Sequence, residues 1–162
     1  MSSQVTDDLT FYANTLGFLY SASAGAWQQM ATPLPVPGNA AHCSTATTAD
    51  GTTYIVMAGG FNYTETFVGY RETFLLDVAD LSGQWAEGPL LPRPLRRGKV
   101  VKTPGSFLIL GGEYTTGDWW YSDDAILEFD VEGMAWVERE ERLSQALHSA
   151  FAVPVDRAKY CV

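Results

Sequence analysis

Apolar positions along the chain come in short runs rich in β-branched and aromatic residues, broken by clusters of Gly, Pro, Asp and Ser. That texture predicts short strands. The run Tyr54-Ile55-Val56-Met57-Ala58 is apolar at every position, as is Phe107-Leu108-Ile109-Leu110, so both strands are expected to be covered on two faces. By contrast, Ile126, Glu128 and Asp130 alternate with Leu127, Phe129 and Val131, the pattern of a strand with one wetter face. For the stretch 86–136 the pattern predicts four strands, at about 97–103, 106–111, 124–130 and 134–139.

These runs repeat. TTYIVMAGG (52–60) returns as GSFLILGGE (105–113), which sets Gly59-Gly60 and Gly111-Gly112 52 residues apart. FLLDVADLSGQW (74–85) returns as LEFDVEGMAW (127–136), with Trp85 and Trp136 separated by 51 residues and Asp77 and Asp130 by 53. A third copy of this second half stands near the start as FLYSASAGAW (18–27), ending on Trp27 and carrying Ser21 in the aspartate position. Pro/Leu-rich stretches follow the first two tryptophans, at 33–42 and 88–97, and their counterpart at 139–148 has no proline. The first interval, Trp27 to Trp85, is longer at 58 residues, and its excess falls around Pro37–Ala41, in loop sequence that tolerates insertion. Sheets of four strands at such a period cannot bury their faces singly, so they are expected to stack as blades of an all-β propeller fragment. The divisions are 1–30 (a partial blade), 31–85 and 86–136 (two complete four-stranded antiparallel blades) and 137–162 (the start of another), all within one propeller-type domain.

The order of Pro/Leu-rich turn, His or Arg, YIV or FLI run, Gly-Gly, then Tyr/Phe-Asp and Trp resembles the kelch repeat over residues 16–153, with His42, Arg97 and His148 read as equivalent. The resemblance implies a β-propeller that presents its loops to a protein partner. It also brings in the galactose oxidase-like superfamily, hence the alternative of a fragment of a copper radical oxidase-like or sugar isomerase-like enzyme. A further alternative is a truncated remnant of a larger kelch protein. About three blades are fewer than a closed ring needs, so self-association or further blades from a longer chain are expected.

Composition narrows the chemistry. Of 162 residues, 19 are acidic and 10 basic, a net charge of −9 that repels phosphate backbones and argues against nucleic acid. No apolar run approaches the roughly 20 residues of a membrane-spanning helix, and the first residues lack a secretory layout. A cytoplasmic protein is expected if Met1 is the true start. Cys43, expected buried in a strand, and Cys161 make no disulfide framework, and no Cys/His spacing suits a metal. No cofactor, metal or catalytic residue is assigned. Asn62-Tyr63-Thr64 is a glycosylation sequon relevant only to the secretory route.

The glycine pairs fit no phosphate-loop motif and are read as structural, with Trp27, Trp85, Trp136, Asp77 and Asp130 as packing and turn residues. The tryptophans are expected to wedge between neighbouring sheets. The binding candidates lie in the loops 61–73, 88–97 and 113–124: Tyr63, Tyr70, Arg71, Arg93, Arg96, Arg97, Tyr114, Trp119, Trp120 and Tyr121. Exposed aromatics with arginine are the usual material of binding hot spots, although one of the paired indoles can instead pack beneath its loop. Arg93, Arg96, Arg97, Lys99 and Lys102 hold half of all the Lys and Arg, read either as a solvated edge or as a surface for an acidic ligand.

Overall fold

The computed structural model describes residues 15–21, 24–36, 39–63, 67–116 and 119–152. Over these residues the chain is all-β, with antiparallel pairing and no helix. Its strands are β1 (Phe18–Ser21), β2 (Ala26–Gln29), β3 (His42–Thr47), β4 (Thr53–Ala58), β5 (Phe61–Tyr63), β6 (Phe67–Gly69) and β7 (Thr73–Asp77). They continue with β8 (Ala86–Glu87), β9 (Leu95–Arg96), β10 (Lys99–Lys102), β11 (Phe107–Thr115), β12 (Trp120–Asp130) and β13 (Ala135–Arg142). Two main sheets result: a first of order β3-β4-β7-β8, and a second of order β10-β11-β12-β13 with β9 added beside β11. β1–β2 and β5–β6 are separate hairpins.

The four strands expected for 86–136 are all present, and three of them, β11, β12 and β13, run further than their sequence suggests. In the second sheet the β11–β12 ladder passes through the glycine pair with a register shift between Leu110 and Gly112. In the first, the equivalent stretch breaks off as the β5–β6 hairpin.

The repetition extends to single backbone groups. Ala40, Arg97 and Ser149 all take positive φ, at 51°, 58° and 52°. Leu34 N–H donates to Thr15 O, Leu91 N–H to Arg71 O and Leu143 N–H to Asp124 O, at 2.7, 2.8 and 2.9 Å. Gly60 N–H meets Leu95 O as Gly112 N–H meets Leu147 O, at 2.8 and 2.7 Å. This register corrects the equivalence of His42, Arg97 and His148. His42 pairs with Ala58, just before the first glycine pair, and Lys99 with Leu110, just before the second. His42 therefore matches Lys99, while His148 matches Arg96.

The glycine pairs have a physical cause. Gly59 and Gly111 adopt φ of 65° and 60°, and a Cβ on either would run into the carbonyl of Leu95 or Leu147. Gly60 and Gly112 leave the same kind of space, where a Cβ would lie 2.8 Å from Asn39 O or 2.7 Å from Arg96 O. Neighbouring chain thus crosses the strand ends at backbone distance, which only glycine permits. Asp77 and Asp130 begin matching turns. Asp77 Oδ1 accepts from Ala79 N–H at 2.8 Å, and Asp130 Oδ1 from Glu132 and Gly133 N–H at 3.1 and 3.0 Å.

The core lies between the two sheets. Ala46, Val56, Ala58 and Leu75 of the first meet Phe107, Ile109, Leu127 and Phe129 of the second, and Leu91 and Leu95 of the connecting segment close it. Full burial of each large side chain contributes about 1.5–3 kcal/mol. Trp136 packs on Phe107 and Phe129 and crosses between the sheets, its Nε1–H donating to Thr73 Oγ1 at 2.9 Å. The other tryptophans differ. The Trp85 indole N–H is buried without a hydrogen-bond partner among the described residues. The backbone repeat gives the reason: Met30 N–H donates to Gly17 O as Gly88 N–H donates to Thr73 O, so the place of the Thr73 hydroxyl is held by a glycine. Trp27 wedges between no sheets and is 71% exposed, because its sheet is a bare hairpin. Cys43 is also a correction: it is exposed, since β3 alternates and turns His42 inward instead.

Candidate functional site

The loops after the second glycine pair and between the sheets come together where β9 pairs with β11. That pairing sets Arg96 beside Glu113 and Leu95 beside Tyr114. Arg96 is only 7% exposed. Its guanidinium carbon lies 3.8 Å from the Trp120 ring centroid and 4.4 Å from that of Phe61, and its Nε donates to Glu113 Oε2 at 2.9 Å. A planar cation between two aromatic faces with a carboxylate at its edge is well satisfied, and it joins the β5–β6 hairpin to the second sheet.

Arg93 is equally engaged. It lies 5.6 Å from the Tyr114 ring centroid, donates through Nε to Asp123 at 2.8 Å and through Nη1 to Glu138 at 2.8 Å. The hydrogen bond from Arg93 holds the Glu138 carboxyl below the usual carboxylate range. Arg97, held at positive φ, reaches Glu113 at 3.3 Å. Lys102 Nζ bonds Thr45 Oγ1 at 2.9 Å, and Lys99 Nζ lies 5.7 Å from the Phe151 ring centroid. The three arginines of the basic cluster are thus each paired with one or more of the protein's own carboxylates. Glu113, Asp123 and Glu138, which pair them, and Phe61, whose ring lies by Arg96, carry no motif that would single them out.

The aromatic loop divides. β12 begins at Trp120, so what reads as loop up to residue 124 is largely strand, and its side chains alternate. Trp120 turns inward onto Arg96 and sits edge-on to Phe61 at 6.0 Å, with its indole N–H buried and unpartnered among the described residues. Trp119 is 74% exposed, and Tyr121, also exposed, stacks at a tilt against Tyr114 with centroids 5.7 Å apart. Arg71 is exposed, its Nε donating to Leu91 O at 2.7 Å, and half-buried Tyr70 links to Gly60 and Leu95 through its backbone. Tyr63 ends β5, and its side chain falls outside what is described. Of the ten candidates, Arg93, Arg96 and Trp120 are packed and paired, whereas Arg71, Arg97, Trp119 and Tyr121 meet solvent.

One cluster invites a catalytic reading. Ser122 Oγ lies 2.9 Å from His148 Nδ1, and Glu113 Oε1 is 3.8 Å from that same nitrogen. A relay needs the nucleophile and the orienting carboxylate on opposite ring nitrogens. Here both approach Nδ1, and Glu113 already serves Arg96 and Arg97, so the geometry does not activate Ser122. Among the described residues no group of three or more His, Cys, Asp or Glu side chains could hold a metal ion. No helix among them is long and apolar enough to cross a membrane. Compared with models of known protein families and with curated proteins, the chain matches none.

Proposed function

We propose that this protein is a non-catalytic interaction module built of kelch-type propeller blades, which binds a protein partner through the exposed aromatic edge of its second sheet. The observation that carries the reading is the division of the Trp119-Trp120 pair. Trp120 is locked on Arg96, and it holds the neighbouring Trp119 at the head of a strand, 74% exposed. An indole kept in solvent on a rigid support buries much area at small entropic cost when a partner covers it. Tyr121 and Arg97 extend the surface with a second ring and a partly exposed guanidinium. The recurring backbone pattern supports the kelch-type reading, since each unit leans on the next through the same hydrogen bonds.

The test compares wild type, Trp119→Ala and Trp120→Ala as baits for cross-linking and mass spectrometry. A partner held by wild type should be weakened by about 1–2 kcal/mol or more in Trp119→Ala at unchanged thermal stability. Trp120→Ala should lower stability. Equal capture by wild type and Trp119→Ala would sink the proposal.

A further inference from the structure

The molecule contains one aromatic hairpin twice, buried in one place and bare in the other. In β12–β13, Phe129 pairs across the strands with Trp136, ring centroids 5.1 Å apart and planes at 51°. In β1–β2, Tyr20 pairs across the strands with Trp27, centroids 5.3 Å apart and planes at 53°. In both, the two residues are seven apart in sequence. Phe18 joins Tyr20 and Trp27 on the same face, and the three are 53%, 54% and 71% exposed. An isolated two-stranded hairpin is at best marginally stable in water, so a bare face of three aromatic rings calls for a cover.

The buried copy shows what such a face packs on. Phe129 and Trp136 lie against Val56, Ala58 and Leu75 of the first sheet, and the Trp136 indole N–H donates to Thr73. By the repeat, the corresponding positions on the far side of the second sheet are Leu108, Leu110, Glu128 and Ile126. They are only half-buried, and Val137, paired with Glu128 on that side, is exposed. One departure is instructive: Glu128 replaces the leucine and is paired to Arg139, so this face offers a carboxylate to a donor near the apolar Ile126. An indole N–H is such a donor.

We infer that the chain self-associates head to tail, the Phe18-Tyr20-Trp27 face of one copy docking on the Leu108-Ile126-Val137 face of the next. The contact repeats between chains the interface that already joins the two sheets within one. It is heterologous, because the two surfaces differ, and so it builds a ring or an open chain rather than a two-fold pair. It does not involve Trp119 and stands apart from the proposed partner surface.

The experiment is light scattering on the full chain across a concentration series, with Trp27→Asp and Val137→Asp, both at exposed positions. Wild type should rise from the mass of one chain to that of two or more. Each variant alone should stay at one chain with an unchanged far-UV spectrum. Mixed together, they should regain a complex of two chains, since each retains the face the other has lost. A wild type that stays single at the highest concentration, or association untouched by either substitution, would overturn the inference. So would a mixture that stays single.

Discussion

His42 Nε2 accepts a hydrogen bond from the backbone N–H of Gly98 at 2.9 Å, joining β3 of the first sheet to the segment that enters the second. Its other nitrogen, Nδ1, lies 3.1 Å from Ala58 O. The roles are forced: Nε2 must be bare to accept from an amide, so Nδ1 carries the proton and the ring is neutral. A Cβ at position 98 would stand 2.9 Å from the same nitrogen, so glycine allows the approach. Burial disfavours the charged ring and takes its pKa from 6.5 down to about 4, with the Ala58 hydrogen bond acting weakly the other way.

This arrangement predicts acid sensitivity of a definite sign. Between pH 6.5 and about 4 the unfolded chain binds a proton on His42 that the folded chain refuses, so stability falls as pH falls through that window. The loss attributable to this residue approaches about 3 kcal/mol at the lower end. Denaturant titrations at several pH values should show it, and His42→Gln, which has no such titration, should flatten the dependence. An unchanged slope in the variant would remove His42 as the cause.

Trp136 and Thr73 offer a cross-sheet hydrogen bond that can be measured by itself. In a cycle of Trp136→Phe and Thr73→Val, the coupling energy should be about 0.5–1.5 kcal/mol in favour of the pair. Trp85→Phe paired with Thr73→Val is the control, because the Trp85 indole N–H has no partner among the described residues. Coupling of equal size in both cycles would assign the effect to packing.

Arg96 and Glu113 form a largely buried pair, and removing one partner strands the other charge. Glu113→Leu should cost about 3–5 kcal/mol, while the double variant Arg96→Met with Glu113→Leu should recover much of it. Urea denaturation reads both values. Additive losses would mean that the carboxylate does not hold the guanidinium in its aromatic slot.

The strands of the second unit are legible because each apolar run is closed by a residue with a local reason to stop it, such as Asp130 accepting from Glu132 and Gly133. The glycine pairs stand out for the same kind of reason, a positive φ and a close carbonyl. The register between units is less legible. His42 and His148 look equivalent when counted from the Pro/Leu-rich stretches, but the structural register offsets them by three places, and no local propensity records that. Arg96 is the sharpest case. Its sequence neighbourhood is a run of arginines, the usual sign of a solvated edge, yet β9 pairs with β11 and draws it under Phe61 and Trp120.

By itself the sequence determined the all-β character, the spacing of the strands and their turns, because these depend on neighbours within a few residues and on a period that can be counted. The tertiary structure decided which aromatic and charged residues are available. Trp119 and Trp120 are adjacent and chemically alike, and only the start of β12 sends one into solvent and the other onto Arg96. Tyr20–Trp27 and Phe129–Trp136 are nearly the same pair, and among the described residues only the second has a sheet packed against it. Burial is a property of what lies across the gap, and a strand pattern does not carry that.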